Sequence, residues 1–326
     1  MAAQKISIVT PCFNEEDNAE VCYQAVKDLF AGPLAAYDYE HIFCDNGSSD
    51  STPAILRQLA ARDPRVKVIL NSRNFGPFRS VFNGILSTSG DAVVLFLPAD
   101  LQDPPEVIVE MVQKWKEGYK IAFGVRANRE ESALMRFIRH RYYLLVKRWA
   151  AVDIPADVGE FQLVDRQVVD ILHRFDDYYP YIRGMVASCG FKSIGIPYVW
   201  RARKRGYSKN RLYHLVDQGL NGLISFTIVP LRLCLFSGMV IACLALLYAI
   251  GNLSITAVRI LAFHSEVASP GIPTVIVALF FFAGVQLFFI GVLGEYIGAI
   301  HSQVRKGPLV IERERINFDS TNIRQL

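Results

Sequence analysis

The sequence predicts an α/β fold: a mostly parallel sheet with helices on both faces, followed by an interfacial helix and two transmembrane helices. Three observations carry that prediction. Short β-branched runs alternate with helical segments from the N-terminus to about residue 124. Unusual polar loops stand just after four of the predicted strands. Beyond about residue 225 two long uncharged apolar runs appear, which accounts for a mean hydropathy of +0.23 that is high for a soluble protein.

The elements follow in order. Ile6 to Thr10 is a β-branched strand, followed by a helix from about Asp17 to Phe30. Tyr39 to Cys44 is the second strand, with a helix from Thr52 to Ala61 behind it. Val66 to Leu70 is the third, then a helix near Phe78 to Ser87. Ala92 to Leu97 is the fourth, with a helix from Pro105 to Trp115, and Lys120 to Gly124 is the fifth. Residues 210 to 226 place Leu212, Leu215, Val216, Leu220 and Leu223 at helical spacing with polar residues between, the pattern of a helix lying on a bilayer.

Leu233 to Ile250 and Pro270 to Gly294 carry no charge, and each reaches the roughly 18 residues that a membrane-spanning helix needs. Before the first run lie Arg201, Arg203, Lys204, Arg205, Lys209 and Arg211; after the second lie Arg305, Lys306, Arg313 and Arg315. The connector holds one basic residue, Arg259, so the positive-inside rule places both termini in the cytoplasm. The expected organisation is a cytoplasmic domain over 1–209, an interfacial helix over 210–228, a two-helix membrane domain over 229–304 and a tail over 305–326. Gly284, Gly291, Gly294 and Gly298 suggest close helix packing, within one chain or between chains of a homo-oligomer. Glu295, near the end of the span, reads as a headgroup-level residue, or else as an intramembrane functional acid.

The N-terminus has no apolar leader, and six scattered cysteines without CxxC spacing fit reduced thiols. A net charge of +4 concentrated beside the membrane runs is no nucleic-acid signal. No GxGxxG follows the first strand and no GxxxxGK[ST] occurs, which removes the main support for dinucleotide and P-loop readings.

In a parallel sheet, ligands bind beyond the carboxyl ends of the strands. The polar loops stand there: "TPCFNEEDN" after the first, "CDNGSSDST" after the second, "LPADLQD" after the fourth and "GVRANREE" after the fifth. Each alone could merely cap a helix or turn; four at equivalent places point to a site. "TPCFNEE", "CDNGSSDST" and "PADLQDPPE", in this order and spacing, resemble the family 2 glycosyltransferases with the Rossmann-like GT-A fold, most of all the polyprenyl-phosphate hexosyltransferases of the dolichol-phosphate-mannose-synthase type. "DVGEFQLVDR" (157–166) and "RKRGYSK" (203–209) resemble two further segments of that group, and the two C-terminal runs resemble its bacterial undecaprenyl-phosphate subgroup.

The resemblance implies a catalytic domain with a nucleotide diphosphate-sugar donor, a divalent metal (Mg²⁺ or Mn²⁺) and a lipid phosphate acceptor. By it, Pro11, Asn14 and Glu15 line the nucleotide pocket and Asp45 meets the base or ribose. Asp91 and Asp100 lie along the diphosphate, and Asp100, Gln102 and Asp103 stand near the metal. Asp157 is the candidate base by family position, or else an orienting group. Two departures stand out: relatives carry an aspartate where this chain has Pro98, and Asn46 replaces an aspartate.

The chemistry fits those residue types. Breaking a sugar–diphosphate bond builds charge on the leaving phosphates, which a hard cation on one or two carboxylates neutralises. A phosphate monoester acceptor is largely deprotonated at neutral pH and needs cations more than a strong base. Arg126 and Arg129 follow the fifth strand, Arg136 continues on a predicted helix, and Arg203, Ser208 and Lys209 form a second basic cluster, all suited to phosphate or to anionic lipid. Expected is an inverting transfer of a hexose, from UDP-glucose, to undecaprenyl phosphate. UDP-N-acetylglucosamine and GDP-mannose are alternative donors, and a non-catalytic scaffold or translocating protein is an alternative class. A processive synthase is disfavoured by the missing Q-x-x-R-W and by only two spans.

Overall fold

The computed structural model describes residues 3–126, 158–201, 229–263, 272–305 and 307–318. It divides into two compact units, Met1–Val216 with Arg305–Leu326, and Asp217–Val304.

The first unit is built on one sheet. In chain order its elements are β1 (Lys5–Cys12), α1 (Ala19–Ala31), β2 (Asp38–Asp45), α2 (Thr52–Arg62), β3 (Val66–Asn71), α3 (Pro77–Leu86), β4 (Ala92–Val94), α4 (Val107–Lys116), β5 (Ile121–Arg126), β6 (Val158–Asp165), α5 (Arg166–Leu172), α6 (Ile182–Ser188) and β7 (Ser193–Tyr198). After the second unit's helices α7 (Val229–Phe263) and α8 (Ile272–Val304), the chain contributes β8 (Glu312–Ile316) to the same sheet. The strand order is β7-β5-β6-β4-β1-β2-β3-β8. The pairs β4-β1, β1-β2, β2-β3 and β5-β7 are parallel. The strand β6 runs antiparallel to β4 and β5, and β8 antiparallel to β3.

Burial on both faces explains the near-continuous apolar strands. Ile6, Ile8 and Phe43 face one core with α1, α2 and α4; Val9, Ile42 and Cys44 face the other with α3, α5 and α6. The fourth strand is shorter than the apolar run predicted. Beyond Val94 the ladder stops, and Leu95 N–H to the Gln162 carbonyl (2.8 Å) and Leu97 N–H to the Val9 carbonyl (2.9 Å) hold the chain there. The parallel strands end along one edge, and β6 begins there, since Val158 lies beside Val125.

At the opposite edge Glu40 is sealed between strands. It accepts from Ser7 Oγ (2.5 Å), the Ser89 amide (2.6 Å) and Ser89 Oγ (2.9 Å), and pairs with Lys67 at 2.7 Å. Burial alone would raise its pKa, but the Lys67, Ser7 and Ser89 contacts outweigh it and pull the value down to about 2. A depressed carboxylate pKa stabilises the fold above its unfolded value and loses that contribution as pH falls toward the folded one. Acidification from about pH 4.5 to 2 should therefore remove on the order of 3 kcal/mol. A Glu40→Gln chain, already lacking that contribution, should show a shallower fall in melting temperature over the same range; parallel curves would refute this assignment.

The second unit holds two apolar helices. One stretch, Ala278–His301, is long and apolar enough to cross a membrane; a shorter apolar stretch spans Leu231–Ala245. Only one of the two predicted spans therefore meets that criterion among the described residues. Leu235, Phe280 and Leu287 are two-thirds or more exposed, an outward apolar surface that water would not favour. A Cβ added at Gly284, Gly291, Gly294 or Gly298 would meet nothing within 4 Å, so these glycines make no close approach to other described parts of the chain.

Candidate active site

The loops after β1 and β2 are stitched together by short polar side chains. Asn14 adopts φ +54°, turning its amide to donate to Ser48 Oγ (2.8 Å) while its Oδ1 accepts from the Ser49 amide (2.8 Å). The Glu15 amide donates to Thr52 Oγ1 (2.9 Å), and Glu15 Oε2 accepts from Asn18 Nδ2 (2.6 Å). Glu16 and Asp50 exchange bonds with the Ser51 and Glu16 amides. Pro11 lies beside Cys44 in the β1–β2 register, one step before these loops.

Between the loops sits Asp45, fully buried at the end of β2. Its Oδ2 accepts from the Ser48 amide at 3.2 Å, whereas Oδ1 is sealed from solvent with no hydrogen-bond partner. Burial raises its pKa, against the opposing pull of Ser48, Gly47 and Arg313. A buried acceptor left open at a strand end is where a donor from a ligand would fit.

The neighbouring Asn46, read as a departure in the nucleotide loop, turns elsewhere. Its Nδ2 donates to Asn74 Oδ1 (2.9 Å) and its Oδ1 accepts from the Phe75 amide (2.9 Å) and Asn71 Nδ2 (3.4 Å). The side chain both gives and takes, which an aspartate cannot do. Gly47 lets the two loops meet, because at φ +76° an added Cβ would stand 2.6 Å from the Arg73 backbone. Asn46→Asp would set a buried carboxylate against the Asn74 oxygen, and we expect a loss of about 2–4 kcal/mol, read as a lower melting temperature. An unshifted melting curve would contradict this account.

The loop after β4 carries the predicted metal residues. The turn over 98–101 is closed by the Leu101 amide on the Pro98 carbonyl (3.0 Å), with Leu101 itself at φ +55°. Nothing in the structure explains why proline rather than aspartate stands at 98. Asp100 is half-buried, with Oδ1 accepting from the Gln102 amide at 3.2 Å. The Gln102 carbonyl is in turn held by the Arg201 amide at 2.9 Å.

Asp103, expected near a metal, is buried and pairs with the fifth strand: Arg126 Nη2 lies 3.2 Å from its Oδ1, and the Tyr198 hydroxyl donates to the same oxygen. Asp91, expected along a diphosphate, stands at the amino end of β4, where its Oδ2 accepts from the Lys5 amide at 2.8 Å, on the far edge from the loops. Chain order already puts Asp91 before the strand that starts at Ala92; only the family resemblance had set it along the diphosphate.

Arg126 ends β5 at the site edge. Its Nε donates to Tyr198 Oη at 3.2 Å, and its guanidinium lies 5.2 Å from the Trp200 ring centre. Burial works against its charge, but Asp103 and Tyr198 outweigh it and raise its pKa, so it stays a cation. Sequence reasoning passed over Tyr198 and Trp200, whose only signal was two aromatic residues at the end of a strand. It also passed over Glu160 and Arg183, which lie 2.7 Å apart; a lone glutamate inside the apolar segment "GEFQLV" was the available sign. Asp157, Arg129, Arg136, Arg203, Ser208 and Lys209 lie outside the described residues.

For a cation, the described residues offer Asp100 and the Gln102 side chain, and no group of three or more His, Cys, Asp or Glu gathers among them. That set fits a Mg²⁺-type ion, which takes one or two protein carboxylates and draws its other ligands from substrate phosphates and water. It does not fit a dedicated protein cage.

Comparison with known proteins adds the following. The family model Glycosyl transferase family 2 matches residues 7–172, and the model GtrB C-terminal hairpin matches residues 229–300. An uncharacterized glycosyltransferase, YkcC of Bacillus subtilis, is 35% identical over 97% of this chain and 96% of its own. The SfII prophage-derived bactoprenol glucosyl transferase of Shigella flexneri is 35% identical over 94% of this chain and 97% of its own. A solved mannosyltransferase of Pyrobaculum calidifontis, PcManGT, covers 94% of this chain and 87% of its own at 16% identity, with a TM-score of 0.46.

Proposed function

The chain belongs to glycosyltransferase family 2 and carries a GtrB-type hairpin, and from that premise we propose that it transfers glucose from UDP-glucose to undecaprenyl phosphate at the cytoplasmic face of a membrane. One observation carries the proposal: likeness to bactoprenol glucosyl transferases runs through 94% of the chain, across both units rather than the sheet alone.

In this reading the loops of Asn14, Glu15 and Asp45 receive the nucleotide, with Asp45 Oδ1 accepting an N–H or O–H from base or ribose. Asp100 and Gln102 hold a divalent ion, which when bound offsets the charge of the leaving diphosphate. A phosphate oxygen of the acceptor attacks the anomeric carbon. The C–O bond to the donor's diphosphate breaks with its electron pair leaving on UDP, and in-line attack inverts an α-linked donor to a β-linked product. Arg126, fixed by Asp103 and Tyr198, supplies positive charge on the acceptor side. Asp157, Arg129, Arg136, Arg203, Ser208 and Lys209 keep the roles that the family resemblance implies.

The organisation proposed is a cytoplasmic transferase domain over 1–209 and an interfacial helix over 210–228. A two-span hairpin over 229–304 follows, with both termini cytoplasmic and copies joined as a homo-oligomer. Incubating membranes that contain the protein with UDP-glucose, Mg²⁺ and undecaprenyl phosphate should yield a lipid-linked glucose. Product from UDP-N-acetylglucosamine or GDP-mannose instead would revise the sugar; no lipid-linked sugar from any of the three would overturn the proposal. A non-catalytic scaffold would draw its support from the two departures, Pro98 and Asn46, and the hydrogen bonds of Asn46 give that residue a structural reason of its own.

A further inference from the structure

Glu160 and Arg183 form an ion pair that the reaction above does not use. Glu160 lies near the start of β6, at the edge where Arg126 ends β5, because Val158 stands beside Val125. Arg183 comes from α6. Glu160 Oε1 lies 2.7 Å from Arg183 Nε, and both carboxylate oxygens are sealed from solvent. The arginine side chain as a whole is 26% exposed against 16% for the glutamate, so the pair has an inner anion and an outer cation. Burial raises the glutamate's pKa, opposed by Arg183 and then by Arg126, so the carboxylate lies within electrostatic reach of both guanidiniums.

Stability does not account for the pair. Desolvation offsets most of what a buried ion pair gains, and apolar side chains of like volume generally serve a core as well. A buried carboxylate under a partly exposed arginine is instead a means of fixing the guanidinium's place. The sheet order says which ligand it would meet. The nucleotide loops follow β1 and β2, whereas β6 and β5 lie on the other side of β4, with Arg126. A phosphate monoester carries nearly two charges and suits more than one guanidinium fork.

We infer that Arg183 is a second guanidinium recognising the acceptor's phosphate, and that Glu160 is the positioning residue that holds it there. The inference rests on the acceptor proposed above. The test uses the full chain in detergent, with KM measured separately for undecaprenyl phosphate and for UDP-glucose. R183Q should raise the acceptor KM about tenfold or more, with the donor KM held within about twofold. R183K, which keeps charge without the fork, should fall between, and serves alone if R183Q does not fold. E160Q should shift the acceptor KM in the same direction. Because Glu160 acts through Arg183, the E160Q/R183Q double variant should be no worse than R183Q. An unchanged acceptor KM in a normally melting R183Q chain, a rise confined to the donor KM, or additive effects in the double variant would overturn the inference.

A direct arm separates this from the function itself: tryptophan quenching by undecaprenyl phosphate and by undecaprenol, without donor. Wild type that fails to prefer the phosphate refutes the proposed acceptor. Wild type that prefers it, with R183Q preferring it equally, refutes only the place given to Arg183.

Discussion

Asp100→Asn should lower kcat by about 10²–10³-fold while leaving the melting temperature unchanged. The magnitude follows from how few acids the described residues offer a cation beside Asp100. Pro98 stands where relatives carry an acid, Asp103 pairs with Arg126 and Tyr198, and no cluster of three metal-binding side chains gathers among the described residues. Among those residues the anionic share of a cation site thus falls on one side chain, whose loss leaves less of the leaving diphosphate's charge offset. An amide keeps the turn, because the Gln102 amide can still donate to its oxygen. Most of the loss should therefore appear in turnover, and raised Mg²⁺ should recover part of it. Turnover within threefold of wild type would remove Asp100 from the site.

How far the site was legible follows from what each residue does. The β-branched and apolar runs showed where strands one to three lie, because those strands are buried on both faces and contain little else. That Asn14, Glu15, Asp45 and Asp100 stand at or just beyond strand ends was legible because polar residues crowd there. Asp91 was placed on the diphosphate by resemblance alone, although it precedes Ala92 and so stands at the amino end of its strand. The Asn46 network was invisible, since its partners Asn71, Asn74 and Phe75 sit 25 to 29 positions away. Glu160 and Arg183 meet across β6 and α6, both beyond the strand–helix alternation that is plain only to about residue 124. The last strand was hidden for another reason. "ERERI" alternates charges instead of apolar residues, as an edge strand exposed on its outer side does.

That strand supports the second large effect. Deleting residues 307–326 should lower the melting temperature by about 10 °C or more and make the protein prone to aggregate. The segment was expected as a mere tail, yet it is held at many points. Arg79, only 7% exposed, donates through Nε to the Leu309 carbonyl (2.7 Å) and through Nη2 to the Pro308 carbonyl (2.9 Å). Ser72 N–H meets the Ile311 carbonyl (2.8 Å), Asn83 reaches Glu312 (2.6 Å) and Arg57 reaches Glu314 (2.7 Å). Removing the segment exposes the β3 edge and the surfaces under Val310 and Ile316, a loss of about 3 kcal/mol. It also takes two carbonyl acceptors from the Arg79 guanidinium, which costs about 1–3 kcal/mol more. The exposed ion pairs add little. The effect should reach the nucleotide loops as well. Ser72 and Arg79 flank the loop of Asn74, whose side chain holds Asn46 beside Asp45, so UDP should bind more weakly to whatever truncated protein folds. Adding Arg79→Leu to the truncated chain should recover part of the lost stability, since it removes the orphaned charge. Melting within 3 °C of the full chain would show that the strand is dispensable. A fall that Arg79→Leu deepens would show that the buried arginine is not the source of the cost.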